Sequence, residues 1–483
     1  MKKQLLFGIA LVCSAFLTNV MAAEPAVDPA IYPIRGTMKL TNKWLYSNKL
    51  GNYNVAADFV AASGMARGMA VKDGKMLFID RGNKQIVVVN GATGAKEAPI
   101  ALASNLFTYI GRNKANTADS IWTAGLWGFQ DIKIDNAGNV LLGNIITSNA
   151  GRFQIWKVDL STGAGTLVID QPDLATLFPA ATSMRFDAFG VWGDVNSTAV
   201  ILAANASATA MEVYKWTITN GVASAPSLIE LDNSTATGAD LAGLANLGSA
   251  PQVFPLDDNY FYVDGNATFP VLVDKDGNVI DGFKSNLSAL KDSVTAPAAT
   301  PKTIWTMNQG HNGVVEFEVA GEYFLLMAAT NTVGVPPSTF RLFKFADAGK
   351  AFTGLDCLWT FPQAGMGASS NAYRTAMPCV EVSGNIAKIY VYTGENGYGM
   401  YEFNTLYTGL KDNEISEVMI TLSGNQIRIS EEVAFAEIIS ITGQRIVAAK
   451  NISTLDAPTT KGVYLVSVID KNGAQKIQKV VMN

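Results

Sequence analysis

One histidine, His311, stands in a chain of 483 residues. Any serine or cysteine nucleophile that needs an imidazole base would have to use it, and no Gly-x-Ser-x-Gly elbow is present. Cysteine is as scarce, with Cys13, Cys357 and Cys379 the full set. Neither a disulfide framework nor a zinc site of His and Cys is expected from so few. Charged residues make up 16% of the chain, carry a net charge of −5 and are scattered rather than blocked. That gives no electrostatic case for nucleic acid as a partner. There is no phosphate-cradling Gly-rich loop ending in Lys-Ser or Lys-Thr, and no Gly-x-Gly-x-x-Gly follows a strand. The expectation is a protein without cofactor or resident metal.

What the chain does have is apolar β-forming sequence. Hydrophobic residues make up 48%, ample for a large core and too many for disorder. Met1-Lys2-Lys3 followed by the apolar Leu5–Leu17 reads as a secretory signal over residues 1–22, with cleavage after Val20-Met21-Ala22. A lipid anchor on Cys13 would need a small residue before it, and Val12 stands there. No later run approaches the ~20 apolar residues that span a bilayer, so the mature chain is expected to lack a transmembrane segment.

The stretch Gly68–Ile100 sets the pattern for residues 23–412. Short apolar runs end in Lys72-Asp73-Gly74, Asp80-Arg81-Gly82-Asn83 and Asn90-Gly91-Ala92-Thr93-Gly94, the punctuation of antiparallel hairpins. The second run recurs with Phe78, Leu142, Leu202, Tyr262, Leu326 and Val391 as markers, spaced 64, 60, 60, 64 and 65 residues apart. A near-constant period with one supersecondary unit per repeat means a closed or stacked array. Six units of four strands predict an all-β, six-bladed β-propeller. First strands are expected at Met69–Val71, Ile132–Ile134, Met184–Phe186, Val253–Leu256, Val314–Val319 and Cys379–Val382. The sixth unit lacks a fourth strand after Phe403, and residues 43–47 (Lys-Trp-Leu-Tyr-Ser) have no unit of their own. They are expected to close the last blade and so remove free sheet edges. Aromatics recur on third strands, at Trp156, Tyr214, Trp216, Phe343, Phe345, Tyr401 and Phe403. They suit packing between blades or a ligand platform.

Residues 413–483 follow a different alternation and are expected to form a small β-sandwich. Ile441-Thr442-Gly443-Gln444-Arg445-Ile446, Leu455, Lys461-Gly462-Val463-Tyr464-Leu465-Val466 and Lys479-Val480-Val481 occur there in that order. This order resembles the C-terminal sorting domain of the type IX (Por) secretion system of Bacteroidetes. The resemblance implies the type IX machinery as a partner and an address outside the outer membrane, secreted or held at the cell surface. The main region, through Trp44-Leu45-Tyr46-Ser47 and Arg67-Gly68-Met69-Ala70-Val71, is similar to uncharacterised Bacteroidetes propeller domains of unknown function, which implies no activity.

Asp274-Lys275-Asp276-Gly277-Asn278 has a calcium-loop flavour but lacks the later bidentate Glu, and it reads as a hairpin turn. Topology directs attention elsewhere. In an antiparallel blade the loop entering the first strand and the link from second to third strand lie at the same end, around the channel. Function sits on such loops. The expected ligand-contacting residues are Arg67, Trp127, Gln130, Arg185, His311, Asn312, Tyr373 and Arg374. Arginine, aromatic and amide groups together suit a polyol or a carboxylate. Alternatively, Arg67 and Arg374 hold neighbouring loop carbonyls. The functions these residues allow are a non-catalytic module binding a glycan or a protein, a polysaccharide hydrolase or lyase using channel carboxylates, or a structural or adhesive envelope protein.

Overall fold

The structure is a computed structural model and describes residues 28–48, 67–112, 119–123, 128–147, 151–172, 174–181, 184–206, 211–232, 246–266, 268–283, 312–329, 338–367, 375–406, 418–441, 444–471 and 475–482. The signal segment and Cys13 lie outside them, as do Trp127, His311, Tyr373 and Arg374. The chain divides into two compact units, Met1–Thr405 and Leu406–Asn483.

Nearly all regular structure is β. The first strand is β1 (Lys39–Ser47), and the first sheet follows as β2 (Met69–Lys72), β3 (Lys75–Asp80), β4 (Gln85–Asn90) and β5 (Ile100–Ala101). A separate hairpin, β6 (Thr108–Arg112) with β7 (Asp119–Thr123), precedes the second sheet. That sheet is β8 (Phe129–Ile134), β9 (Val140–Asn144), β10 (Phe153–Val158) and β11 (Gly165–Gln171). The third is β12 (Gly190–Gly193), β13 (Thr198–Ala204) and β14 (Glu212–Thr219), with both β15 (Val222–Ala223) and β16 (Ser227–Glu230) paired to β14. The fourth is β17 (Gln252–Pro255), β18 (Tyr260–Gly265), β19 (Thr268–Asp274) and β20 (Val279–Gly282). The fifth is β21 (Val314–Val319), β22 (Glu322–Ala329), β23 (Thr339–Lys344) and β24 (Asp356–Phe361). The sixth is β25 (Ala376–Ser383), β26 (Ile386–Thr393) and β27 (Gly397–Asn404), completed by β1 at its outer edge.

The cores lie between sheets, not within one. Phe78 and Val87 of the first sheet share a buried cluster with Tyr390 and Met400 of the sixth, while Leu77 and Val88 share another with Ile132 and Leu142 of the second. Successive clusters join the second sheet to the third, the third to the fourth, the fourth to the fifth and the fifth to the sixth. The stack therefore closes on itself, which makes the first unit a β-propeller. It also explains why second and third strands read as unbroken apolar runs. Adjacent residues point to opposite faces, and both faces are covered. Each fully buried Val, Leu or Phe contributes ~1.5–3 kcal/mol. The third-strand aromatics fill these seams, with Phe153 against Trp216 at 5.1 Å and Phe324 against Phe403 at 4.8 Å between ring centroids.

β1 runs antiparallel to β27, with Leu40 opposite Phe403 and Leu45 opposite Gly399. Tyr46 stacks on Tyr398 at 5.3 Å, and the Trp44 indole donates to the Gly91 carbonyl at 2.9 Å. The first strand of the third sheet differs from the expected Met184–Phe186. That stretch forms one bridge, between Phe186 and Ile146, and the strand is β12. The reason is polar: Arg185 gives its N–H to the Asn205 side chain and its guanidinium to Asp187, which holds the stretch as an approach loop. The Asp274 turn closes on itself, its carboxylate accepting the N–H groups of Asp276 and Asn278. Cys357 and Cys379 are both free thiols.

The second unit is one five-stranded sheet, β28 (Ile420–Ser423), β29 (Gln426–Ser440), β30 (Arg445–Asp456), β31 (Gly462–Ile469) and β32 (Gln475–Met482). β29 is continuous over 15 residues. An irregularity between Arg428 and Val433 folds the sheet over a core that includes Ile420, Ile427, Ile438, Val466 and Val480. A sandwich thus arises from one bent sheet. No helix among the described residues is long and apolar enough to cross a membrane.

Candidate functional site

The approach loops and the ends of second strands carry buried polar side chains, and these fix backbone at one end of the propeller. Asp131 accepts the N–H of Phe189, so the second sheet holds the approach to the third. Asn144 accepts from Gln154 N–H at 2.7 Å and donates to Arg152 O at 2.9 Å. Asp80 takes the N–H of Asn83 and the amides of Asn83 and Gln85. Asp264 accepts the N–H of Gly313 at 2.8 Å, tying the fourth sheet to the approach of the fifth. Loop N–H groups that have no ladder partner are satisfied this way. The approaches also crowd together. A Cβ on Gly68 would lie 2.4 Å from Asp131 Oδ1, and one on Gly313 would lie 2.1 Å from Ala376 O, so only glycine fits at either place.

Four of the expected ligand contacts are described. Arg67 and Arg185 come together on Asp187. Arg185 binds it through two bonds, Nε to Oδ2 at 2.7 Å and Nη2 to Oδ1 at 2.6 Å. Arg67 Nη1 reaches Oδ1 at 3.4 Å, crossing from the approach of the first sheet to that of the third. The Arg67 side chain is 9% exposed and that of Arg185 is 38% exposed. Arg67 therefore works as an internal tie, and Arg185 is the accessible guanidinium. Tyr392 of the sixth sheet also lies within the field of Arg67, which partly offsets the strong upward push of burial on its hydroxyl. Gln130 is buried and accepts from Arg81 at 3.1 Å. Asn312 is fully buried, its amide donating to Ser249 O and Ala250 O at 3.1 and 2.6 Å.

In β8, Lys133 sits 3.1 Å from Asp131 and 5.9 Å from the ring centre of Phe254 in the fourth sheet. Burial raises the Asp131 carboxyl, and the Lys133 charge opposes that rise. The Cys379 thiol donates to Met69 O at 3.6 Å, and burial pushes it up to about 12. It is not a nucleophile at neutral pH. Sequence reasoning missed Arg81, Asp131, Lys133 and Asp187. Arg81 and Asp187 each sit beside or near a residue already singled out, and Lys133 was readable only as an uncharacteristic charge within an inner strand. Among the described residues, no group of three His, Cys, Asp or Glu side chains is placed to hold a metal ion.

Comparison with known proteins adds fold and no activity. The domain of unknown function DUF8500 matches residues 86–263, less than half of the chain. No curated protein matches. Among solved structures, a DUF4623 family protein from Bacteroides eggerthii DSM 20697 is similar with a TM-score of 0.53 and 14% identity, covering 77% of each chain. The PQQ-bound aldose sugar dehydrogenase from Streptomyces coelicolor gives a TM-score of 0.38 and 12% identity over 78% of this chain and 100% of that one. Streptogramin B lyase gives 0.33 and 10% over 75% and 98%. Scores that low carry no argument beyond a general likeness. The first two matches fit an uncharacterised domain of Bacteroidetes type.

Proposed function

We propose that this chain is a binding module displayed outside the cell, with a carboxylate-bearing glycan as its ligand and Arg185 as the group that holds the ligand's carboxylate. The observation that carries the reading is the Arg185–Asp187–Arg67 cluster. Asp187 fixes the Arg185 guanidinium through two bonds, which preorganises it, and the side chain is still 38% exposed at the loop end of the channel. Planar guanidinium groups recognise carboxylates in pairs of bonds. Catalysis by acid and base is a poorer fit, because Asp131 and Asp187 are each paired with a cation and the Cys379 thiol is held protonated.

The sorting-domain motif order in the tail and the N-terminal signal support export through the periplasm and the type IX machinery to the surface. The test of the binding reading is Arg185→Ala in the full chain. Affinity for an acidic oligosaccharide should fall by about 10- to 150-fold, the ~1.5–3 kcal/mol of a charged hydrogen bond, and the melting temperature should fall as well, because the buried Asp187 keeps only its contact with Arg67. Unchanged affinity would remove Arg185 from the site.

A further inference from the structure

We propose that the opposite end of the propeller carries a second binding site, for a sugar bearing a tetrahedral oxyanion ester, in a cleft held by Lys72 and Lys157. In an antiparallel blade the links from first to second strand and from third to fourth strand lie away from the approach loops. In the second sheet those links are residues 135–139 and 159–164. With Lys72 at the end of β2 they line an open cleft of about 540 Å³. That volume lies in the range of small-molecule sites and exceeds what a free inorganic anion fills.

Both ammonium groups are tied to the same turn, Gly138-Asn139, which itself lines the cleft. Lys72 reaches over from the first sheet, and its Nζ donates to Gly138 O at 2.6 Å. Lys157 Nζ donates to Asn196 Oδ1 in the turn between β12 and β13, and the Asn196 amide donates to Asn139 Oδ1 at 3.2 Å. Among the described residues each ammonium has one neutral oxygen as partner and no carboxylate, although it carries three N–H donors. The carboxylates close by are taken up by the turns. Asp135 accepts the N–H groups of Ala137, Asn139 and Val195 and the Asn139 amide. Asp194 accepts the amides of Asn139 and Asn196. Asp159, the one acidic residue lining the cleft, accepts the N–H and the hydroxyl of Ser161 on Oδ1. Two like charges held around one cleft favour an anion in it. A compact ammonium suits the oxygens of a sulfate or phosphate ester, where a planar guanidinium suits a carboxylate. Val140, Val158 and Leu160 give the cleft apolar surface for the C–H face of a sugar ring. Thr166 also lines it and stands opposite Lys157 across β10 and β11, which puts a hydroxyl on the same face as that lysine. None of these groups belongs to the Arg185 cluster.

The experiment titrates the full-length protein by calorimetry with glucose 6-sulfate, glucose 6-phosphate, glucose and inorganic sulfate, at low and high salt. Acetylation of lysines with and without each probe, read by mass spectrometry, maps the site. An ester should bind saturably, the two esters telling which oxyanion is preferred, and salt should weaken the binding. Bound ester should protect Lys72 and Lys157 from acetylation while the exposed Lys275 reacts as before. Lys72→Gln and Lys157→Gln, which remove the charge and keep a donor, should each weaken binding by about tenfold or more. If either variant fails to fold, the wild-type protection map decides. That map is read at lysines, so this proposal and the reading of Arg185 fail separately. No binding of either ester, glucose binding as tightly as its esters, or protection that misses both lysines would overturn the proposal. Inorganic sulfate binding as tightly as the esters would overturn it too, by reducing the cleft to a site for free anions.

Discussion

Asp28 is the rivet that holds the N-terminal segment in the propeller, and its removal should be among the most damaging single changes in the chain. Its carboxylate accepts from the Tyr32 hydroxyl, the Asn42 amide of β1 at 2.7 Å, the Tyr401 hydroxyl of β27 at 3.0 Å and the Gln363 N–H at 2.6 Å. Asp28→Ala leaves four donors without their acceptor, two of them on buried tyrosines. Each such donor costs ~1–3 kcal/mol, but water entering the gap recovers part of that, so the expected loss is about 3–5 kcal/mol. At ~2–3 °C per kcal/mol for a domain of this size, the melting temperature should drop by about 6–15 °C. Asp28→Asn should lose less, and its pH dependence is the sharper test. Burial holds the Asp28 carboxyl above its ordinary value, against the four hydrogen bonds. The folded state therefore binds the proton more tightly than the unfolded one. Stability from this group is fullest below the ordinary value of 3.8 and declines as pH rises toward the elevated one. Wild type should lose stability across that window, and Asp28→Asn should lack that slope. Calorimetry from pH 3 upward would refute the reasoning if Asp28→Ala melted within about 2 °C of wild type, or if the slopes matched.

Two further outcomes follow. Alkylation of Cys379 by iodoacetamide under native conditions should be negligible at pH 8 and rise about tenfold per pH unit, since the thiol titrates at about 12; rapid labelling at pH 8 would show a lower value. Removing Leu406–Asn483, the second compact unit, should leave the propeller's melting transition in place and stop display at the cell surface, as checked by protease shaving of intact cells; surface display of the truncated protein would defeat the proposed address.

The propeller was legible because its physics is written twice in each strand. Met76, Leu77, Phe78 and Ile79 are all apolar since neighbouring sheets cover both faces, and the Gly, Asn and Asp turns between such runs repeat at a steady period. The start of β12 was not legible. Met184 and Phe186 are as apolar as a strand requires, and only the Asn205 and Asp187 contacts of Arg185 reveal a loop. The bend in β29 was hidden for a related reason: Ser430-Glu431-Glu432 reads as a loop between two strands, and the chain passes through it without leaving the sheet. For the candidate site, position along the repeat named residues at one end of the sheets but could not say which polar groups face solvent. Asn312 and Gln130 are buried and engaged with the protein through contacts between residues 49 to 63 positions apart, whereas Arg185 is only partly buried.

The most direct test of the account is a titration of the full chain with a uronic-acid oligosaccharide and its neutral counterpart, each against wild type and Arg185→Ala, at low and high salt. The account predicts that wild type binds the acidic ligand in preference to the neutral one, that salt weakens the binding, and that Arg185→Ala loses the preference while remaining folded. Equal binding of both ligands, or a preference for the acidic one that survives Arg185→Ala, would contradict it.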